Sequence, residues 1–353
     1  MPDSRDKPRI AVAGAGLIGR THIDVAMQSA TCTLSAIVDP APTSANIASR
    51  HGVPHYRSLD ELLARDRPDA IILATPNALH VPQALQCIAA GIPVLVEKPI
   101  ATNVAEGKRL VAAAQAAKAR VLVGHHRAHS PIMTRAKAVV ASGVLGRLVA
   151  ITGSAMFLKP DHYFVDGPWR REPGGGPILI NMIHEVHNLR MLCGEIVAVQ
   201  ALASHATRGF AVEDTVAIAL QFANGALGSF MLCDTAASAR SWEQTSRENK
   251  AYPPYDDEDC YLIAGTNGSL AIPTMRLKTY PRDTDRSWWK PFDVATLDVV
   301  REDPLKLQLE HFGAVVRGDA EPLVSPRDGL ANLRVTEAIA EAAKSGTLVE
   351  IGD

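Results

Sequence analysis

The chain has 353 residues, enough for roughly two domains, and 36 Lys+Arg stand against 38 Asp+Glu. That balance offers no basic footprint for nucleic acid or an anionic membrane, and 47% hydrophobic with 21% charged residues excludes a disordered chain. Aromatics make up only 5%, and Tyr56 is the single one before residue 150, so the two halves are packed from different material.

No apolar leader follows the polar start and no run of about 18 apolar residues exists, which predicts neither a secretory signal nor a membrane span. Cys32, Cys87, Cys193, Cys233 and Cys260 form no C-x-x-C pair and read as free thiols. A soluble, cytoplasmic protein is expected.

Strand and helix patterns alternate through the first half. Arg9–Val12 is an apolar run, followed by a helical pattern through about Ser29 and a β-rich run, Thr33–Val38. Ser44–His51 and Leu59–Arg65 read as helices, Asp69–Ala74 as a strand buried on both faces, and Val81–Ala90 as a helix. Pro93–Val96, the Ala-rich helix Val104–Lys118 and Arg120–Val123 complete the series. Such alternation predicts βαβ units and a doubly wound parallel sheet.

Gly14-x-Gly16-x-x-Gly19, with Leu17 and Ile18 between, stands between strand and helix, where a dinucleotide pyrophosphate meets a helix N-terminus. Asp39 ends the second strand, 20 residues beyond Gly19, where a carboxylate accepts both ribose hydroxyls and repels a 2′-phosphate. NAD is therefore favoured over NADP.

From Leu148 the pattern changes. Val149–Phe157, Ile196–Ser204, Thr215–Phe222, Ala226–Leu232, Cys260–Ala264 and Ser269–Ile272 read as strands, two Asn-Gly turns marking hairpins. Helices are expected at Ile178–Leu192, Leu305–Arg317 and Asp328–Ser345, and a last strand at Thr347–Ile351. This predicts an α+β domain with an open, mostly antiparallel sheet, whose uncovered face suits a homodimer or homotetramer. Residues 1–124 and 125–353 are the expected domains, the last helix packing back on the first. The segment 236–259 reads as a long functional or mobile loop, and its acidic run as a solvated turn.

Gly14–Gly19, Ala74-Thr75-Pro76-Asn77 with His80, and Glu97-Lys98-Pro99 occur in order at strand ends; Trp169-Arg170, Gly174–Gly176 and a helix carrying His184 follow. Together they resemble the Gfo/Idh/MocA family, the glucose-fructose oxidoreductase and inositol dehydrogenase group, along essentially the whole chain. The resemblance implies a Rossmann domain plus a C-terminal α/β domain, and a nicotinamide-dependent dehydrogenase of sugars, cyclitols or similar polyols. It places Lys98 in the active site, where a lysine polarises the substrate oxygen, and His184 at the proton-transfer position.

On the helical projection Asn181, His184, His187 and Asn188 share one sector. The family often has Asp four residues before the histidine and three after; here Ile180 and His187 stand there. Asn181 and His187 then become substrate contacts. Position after a strand makes Thr75, Asn77, His80, Glu97, His126 and Arg127 cofactor-side candidates, with Glu97 on ribose or carboxamide. Tyr163, Trp169 and Arg170 are expected to line the substrate mouth, aromatic faces meeting sugar C–H surfaces and Arg holding hydroxyls or a carboxylate. Adjacent His125 and His126 point to opposite faces, so no metal is expected. Hydride transfer from a CH–OH group is the reading; glycoside elimination or epimerisation through transient oxidation, and a non-catalytic NAD- or sugar-sensing regulator, are its rivals.

Overall fold

A computed structural model describes residues 7–352. The chain forms two compact units. The first runs to His129 and takes in Pro304–Leu333; the second comprises Ser130–Asp303 and the chain from Arg334 onward.

The first unit contains β1 (Arg9–Ala13), α1 (Leu17–Met27), β2 (Thr33–Val38), α2 (Thr43–His51), β3 (His55–Tyr56), α3 (Leu59–Arg65), β4 (Ala70–Leu73), α4 (Asn77–Ala89), β5 (Val94–Glu97), α5 (Val104–Ala117) and β6 (Val121–Gly124). Its strands lie in the order β3-β2-β1-β4-β5-β6, all parallel. Every residue of β4, β5 and β6 is buried, which is why, Glu97 at the end of β5 apart, their sequences are continuous apolar runs. Helix starts are set locally. Ser58 accepts from the Glu61 amide and Glu61 from the Arg57 amide, a reciprocal cap. The core is aliphatic, with Phe312 its one fully buried aromatic ring.

The second unit contains α6 (Pro131–Ala141), β7 (Leu148–Met156), α7 (Asp161–Asp166), α8 (Ile183–Cys193), β8 (Ile196–Ser204), β9 (Thr215–Phe222), β10 (Leu227–Cys233), α9 (Trp242–Thr245), β11 (Tyr261–Gly265), β12 (Gly268–Ile272), β13 (Arg276–Thr279) and β14 (Asp293–Thr296). The chain closes with α10 (Pro304–Arg317), α11 (Pro326–Ser345) and β15 (Val349–Glu350). The sheet order is β14-β13-β12-β11-β7-β10-β9-β8-β15. Only the β7–β10 pairing is parallel. Phe222, Phe230, Trp242 and Tyr261 are buried in this core. The opposite face is open: Leu202, Ala217 and Met231 stand side by side across three strands and are exposed.

One expectation is corrected. The helix expected over Ile178–Leu192 is a π-helical turn, Ile178–Met182, followed by α8. Asn181 lies in the π turn, so a projection at 100° per residue misplaces it against His184; Asn188 turns inward to Tyr261 Oη at 3.0 Å. The segment 236–259 is irregular as expected apart from the short α9, and it is anchored: Trp242 and Glu248 are buried and the indole N–H donates to the Glu248 carboxylate at 3.0 Å. Helix α6 fills the stretch before residue 148 to which no element was assigned.

Candidate active site

The cofactor side is built on the carboxyl ends of β1, β4, β5 and β6. Gly14 has φ +95°, and a Cβ there would lie 2.3 Å from the Ala74 carbonyl oxygen; one on Gly19 would lie 2.0 Å from that of Gly14. A Cβ on Gly16 would meet nothing within 4 Å. Two glycines thus close the turn while the third leaves space in front of it. No side chain caps α1 at Gly16, Leu17 is exposed and Ile18 half-buried, so the first-turn amides suit a pyrophosphate. Asp39 Oδ2 accepts from the Ala15 amide at 2.8 Å and Oδ1 from that of Ala41 at 2.8 Å, holding the carboxylate beside the turn. These residues fit a dinucleotide.

Thr75 follows β4 and donates through its hydroxyl to Gln83 at 2.6 Å; Asn77 opens α4. His80, expected to face the cofactor, is buried, its ring nitrogens 2.7 Å from the Pro99 carbonyl and 2.8 Å from that of Thr75. It ties the Thr75 turn to the loop after Lys98. Burial lowers its pKa against those carbonyls.

Glu97 also differs from expectation. It points inward: Oε1 lies 2.8 Å from His22 Nε2, and Oε2 accepts from the Lys98 amide at 3.0 Å. Burial pushes its pKa up, but His22, Lys98 and His126 outweigh that and hold the carboxyl below the usual range. His22, on the face of α1 turned to the sheet, was not singled out in the sequence because its partner is 75 residues away. Lys98 and His126 are half-buried, whereas Arg127 is buried on the short 3-10 turn His126–His129.

The substrate-side candidates lie in the second unit. His184 and His187 are buried on α8, with Asn181 half-buried in the π turn before it. The Arg170 guanidinium lies over the Tyr163 ring at 3.8 Å and near that of Trp169 at 5.4 Å, Trp169 remaining exposed. The glycine triplet permits this packing: a Cβ on Gly175 would lie 2.2 Å from the Trp169 carbonyl oxygen, and one on Gly176 2.4 Å from the Glu213 carboxylate.

Four further residues join this group without any signal in the sequence. Lys159 Nζ donates to Asn181 Oδ1 at 2.7 Å and pairs with Asp234 at 3.3 Å. Arg208 pairs with Asp234 at 3.1 Å, and Glu213 accepts from the Ile178 amide at 2.8 Å. Burial lowers the Lys159 pKa, Asp234 opposing it and Arg208 and Arg170 adding to it; burial likewise raises that of Glu213. Among the described residues, no three metal-ligating side chains are grouped to hold an ion.

A family profile described as "Oxidoreductase family, NAD-binding Rossmann fold" matches residues 8–125, and its "C-terminal alpha/beta domain" matches 137–351. The chain is 25% identical to the rhizopine catabolism protein MocA of Rhizobium meliloti, over 94% of each chain. It is 26% identical to 1,5-anhydro-D-fructose reductase of Ensifer adhaerens, over 97% of this chain and 98% of that one. Among solved structures, the WlbA dehydrogenase of Bordetella pertussis, in complex with NADH and UDP-GlcNAcA, superposes with TM-score 0.78 at 26% identity, covering 98% of this chain and 99% of that one.

Proposed function

The chain belongs to the Gfo/Idh/MocA oxidoreductase family, and from that premise we propose that it oxidises a CH–OH carbon of a sugar, glycoside or cyclitol with NAD. Bound NAD supplies the hydride acceptor. Lys98 donates to the substrate oxygen and stabilises charge developing on it; His184 exchanges the hydroxyl proton. The observation that carries the reading is the placement of Lys98: it follows β5 directly, in the sheet that bears the glycine cradle, with its amide fixed by the ionised Glu97. Relatives that act on or bind carbohydrates support the substrate class. Asp39 beside the turn supports NAD over NADP. The five buried free thiols support a reducing, cytoplasmic setting, and the open sheet face supports a homo-oligomer.

Ile180 and His187, in place of the family's usual carboxylates, favour one second reading, a site that binds NAD and sugar without turnover. A polyol and glycoside panel with NAD and NADP, followed at 340 nm, separates the two. Sustained NADH formation with NAD is expected, and Lys98→Ala should lower turnover by about 10²- to 10⁴-fold with NAD binding intact. Full turnover by Lys98→Ala would sink the assignment; turnover without NADH would point to elimination or epimerisation.

A further inference from the structure

The π turn before α8 is held from outside at two points. At Ile178 the backbone amide donates to Glu213 at 2.8 Å, where Gly176 carries no Cβ to meet that carboxylate. At Asn181 the side-chain oxygen accepts from Lys159 Nζ at 2.7 Å. The lysine has little freedom of its own. Its backbone amide donates to the Asp234 carbonyl at 2.9 Å, and its carbonyl accepts from Arg208 at 2.7 Å. Nζ pairs with one oxygen of the Asp234 carboxylate at 3.3 Å, while Arg208 takes the other at 3.1 Å. The rings of Tyr163 and Phe157 lie 5.1 Å and 5.6 Å from Nζ. Burial lowers the Lys159 pKa, but Asp234 opposes that and favours the ammonium form.

An ammonium group settles which way the Asn181 amide faces. The side-chain amide has a broad, roughly two-fold torsion and can present either its oxygen or its nitrogen. Lysine has donors and no acceptor, so the atom that meets it must be the oxygen. The nitrogen then lies on the other side of the amide plane's axis, and among the described residues no protein group accepts from it. Asn181 is half-buried, three residues before His184, so this unanswered N–H pair belongs to the substrate side of the second unit.

We propose that Lys159 is a positioning residue: it holds the Asn181 oxygen and thereby offers the Asn181 N–H pair to an acceptor oxygen of the substrate. The proposal deepens the carbohydrate-oxidation reading above and rests on it. Asp234 and Arg208 act one step further back, fixing the lysine. At this point the site then demands a hydroxyl or carbonyl oxygen, because a carbon there would leave buried donors unanswered.

The test is a double-mutant cycle on the NAD-loaded protein with myo-inositol, glucose and methyl glucoside as probes. KM and kcat are read from NADH formation and Kd by calorimetry. Asn181→Ala should raise KM and Kd about tenfold, with the larger part of the loss in KM, because the contact exists before and during the reaction. Lys159→Met should raise them about fivefold in the native background and less than about twofold in Asn181→Ala, where the lysine has nothing left to act through. Lys159→Arg, also a donor only, should recover most of the loss. Asp234 keeps Arg208 in Lys159→Met, so its carboxylate is not left unpaired. A lysine with a merely structural role would lower kcat and the melting temperature alike on both backgrounds. The Asn181 side-chain nitrogen resonance, identified by its loss in Asn181→Ala, should move when probe is added to the native protein, a measurement that needs no lysine variant. Equal effects of Lys159→Met on both backgrounds, native affinity in Asn181→Ala, or an unmoved resonance at saturating probe would overturn the proposal. A non-additive cycle in Kd without NADH formation removes hydride transfer and leaves the positioning role, whereas NADH formation with an additive cycle does the reverse.

Discussion

His22 and Glu97 form a buried pair, Nε2 to Oε1 at 2.8 Å, with both side chains almost wholly covered. The pair locks the end of β5 to α1, and through the Glu97 carboxylate it fixes the amide of Lys98. His22→Leu leaves that carboxylate covered without its main partner. A loss of about 3–5 kcal/mol is expected from urea unfolding at pH 7.

The pH dependence of that loss has a definite sign. In the native chain the Glu97 pKa is depressed, so its contribution is present above the unfolded carboxylate pKa and fades as pH falls through the folded one. In His22→Leu, burial dominates and moves the folded pKa the other way. Acid then protonates the stranded carboxyl, and the gap between variant and native chain should narrow below about pH 5. A gap that stays constant from pH 7 to pH 4 would contradict the pairing.

Gly16 and Gly19 should behave oppositely when replaced by Ala. A Cβ at Gly19 falls 2.0 Å from the Gly14 carbonyl oxygen, so Gly19→Ala must shift the turn and lower the melting temperature. A Cβ at Gly16 meets no protein atom, so Gly16→Ala should melt within about 2 °C of the native chain. Its NAD affinity should nevertheless fall at least about tenfold, because the added methyl occupies the pyrophosphate's approach. Equal NAD affinity in Gly16→Ala and native protein, by calorimetry, would remove the cradle from the site.

The outward row Leu202, Ala217 and Met231 makes the proposed homo-oligomer testable. Met231→Glu places a charge in the middle of that face without touching the core behind it. Light scattering should show the proposed assembly shifting toward monomer, with the melting transition of each chain retained. An unchanged mass at micromolar protein would move the interface elsewhere.

Legibility in the sequence followed the range of each interaction. The parallel sheet was readable because strands buried on both faces spell their burial in consecutive residues, and because Gly14, Gly16 and Gly19 act within one turn. His22 was not, since α1 offers no local reason for a buried histidine and Glu97 lies 75 residues away. Lys159 likewise looks like a lysine at a strand end until residues 181 and 234 are brought to it. The π turn escaped because apolar spacing from 178 to 192 fits an α-helix, and a single wider turn leaves no composition of its own. His80 in α4 and Glu97 at the end of β5 turn inward, since position at or after a strand end says where a residue is but not which way its side chain turns.

The uneven distribution of aromatics has an optical consequence. All four tryptophans (Trp169, Trp242, Trp288 and Trp289) belong to the second unit, and only Trp242 is buried. Intrinsic tryptophan emission during unfolding therefore watches one unit through one indole. Loss of the Rossmann sheet leaves no tryptophan signal of its own, and must be followed by far-ultraviolet dichroism or by the emission of bound NADH.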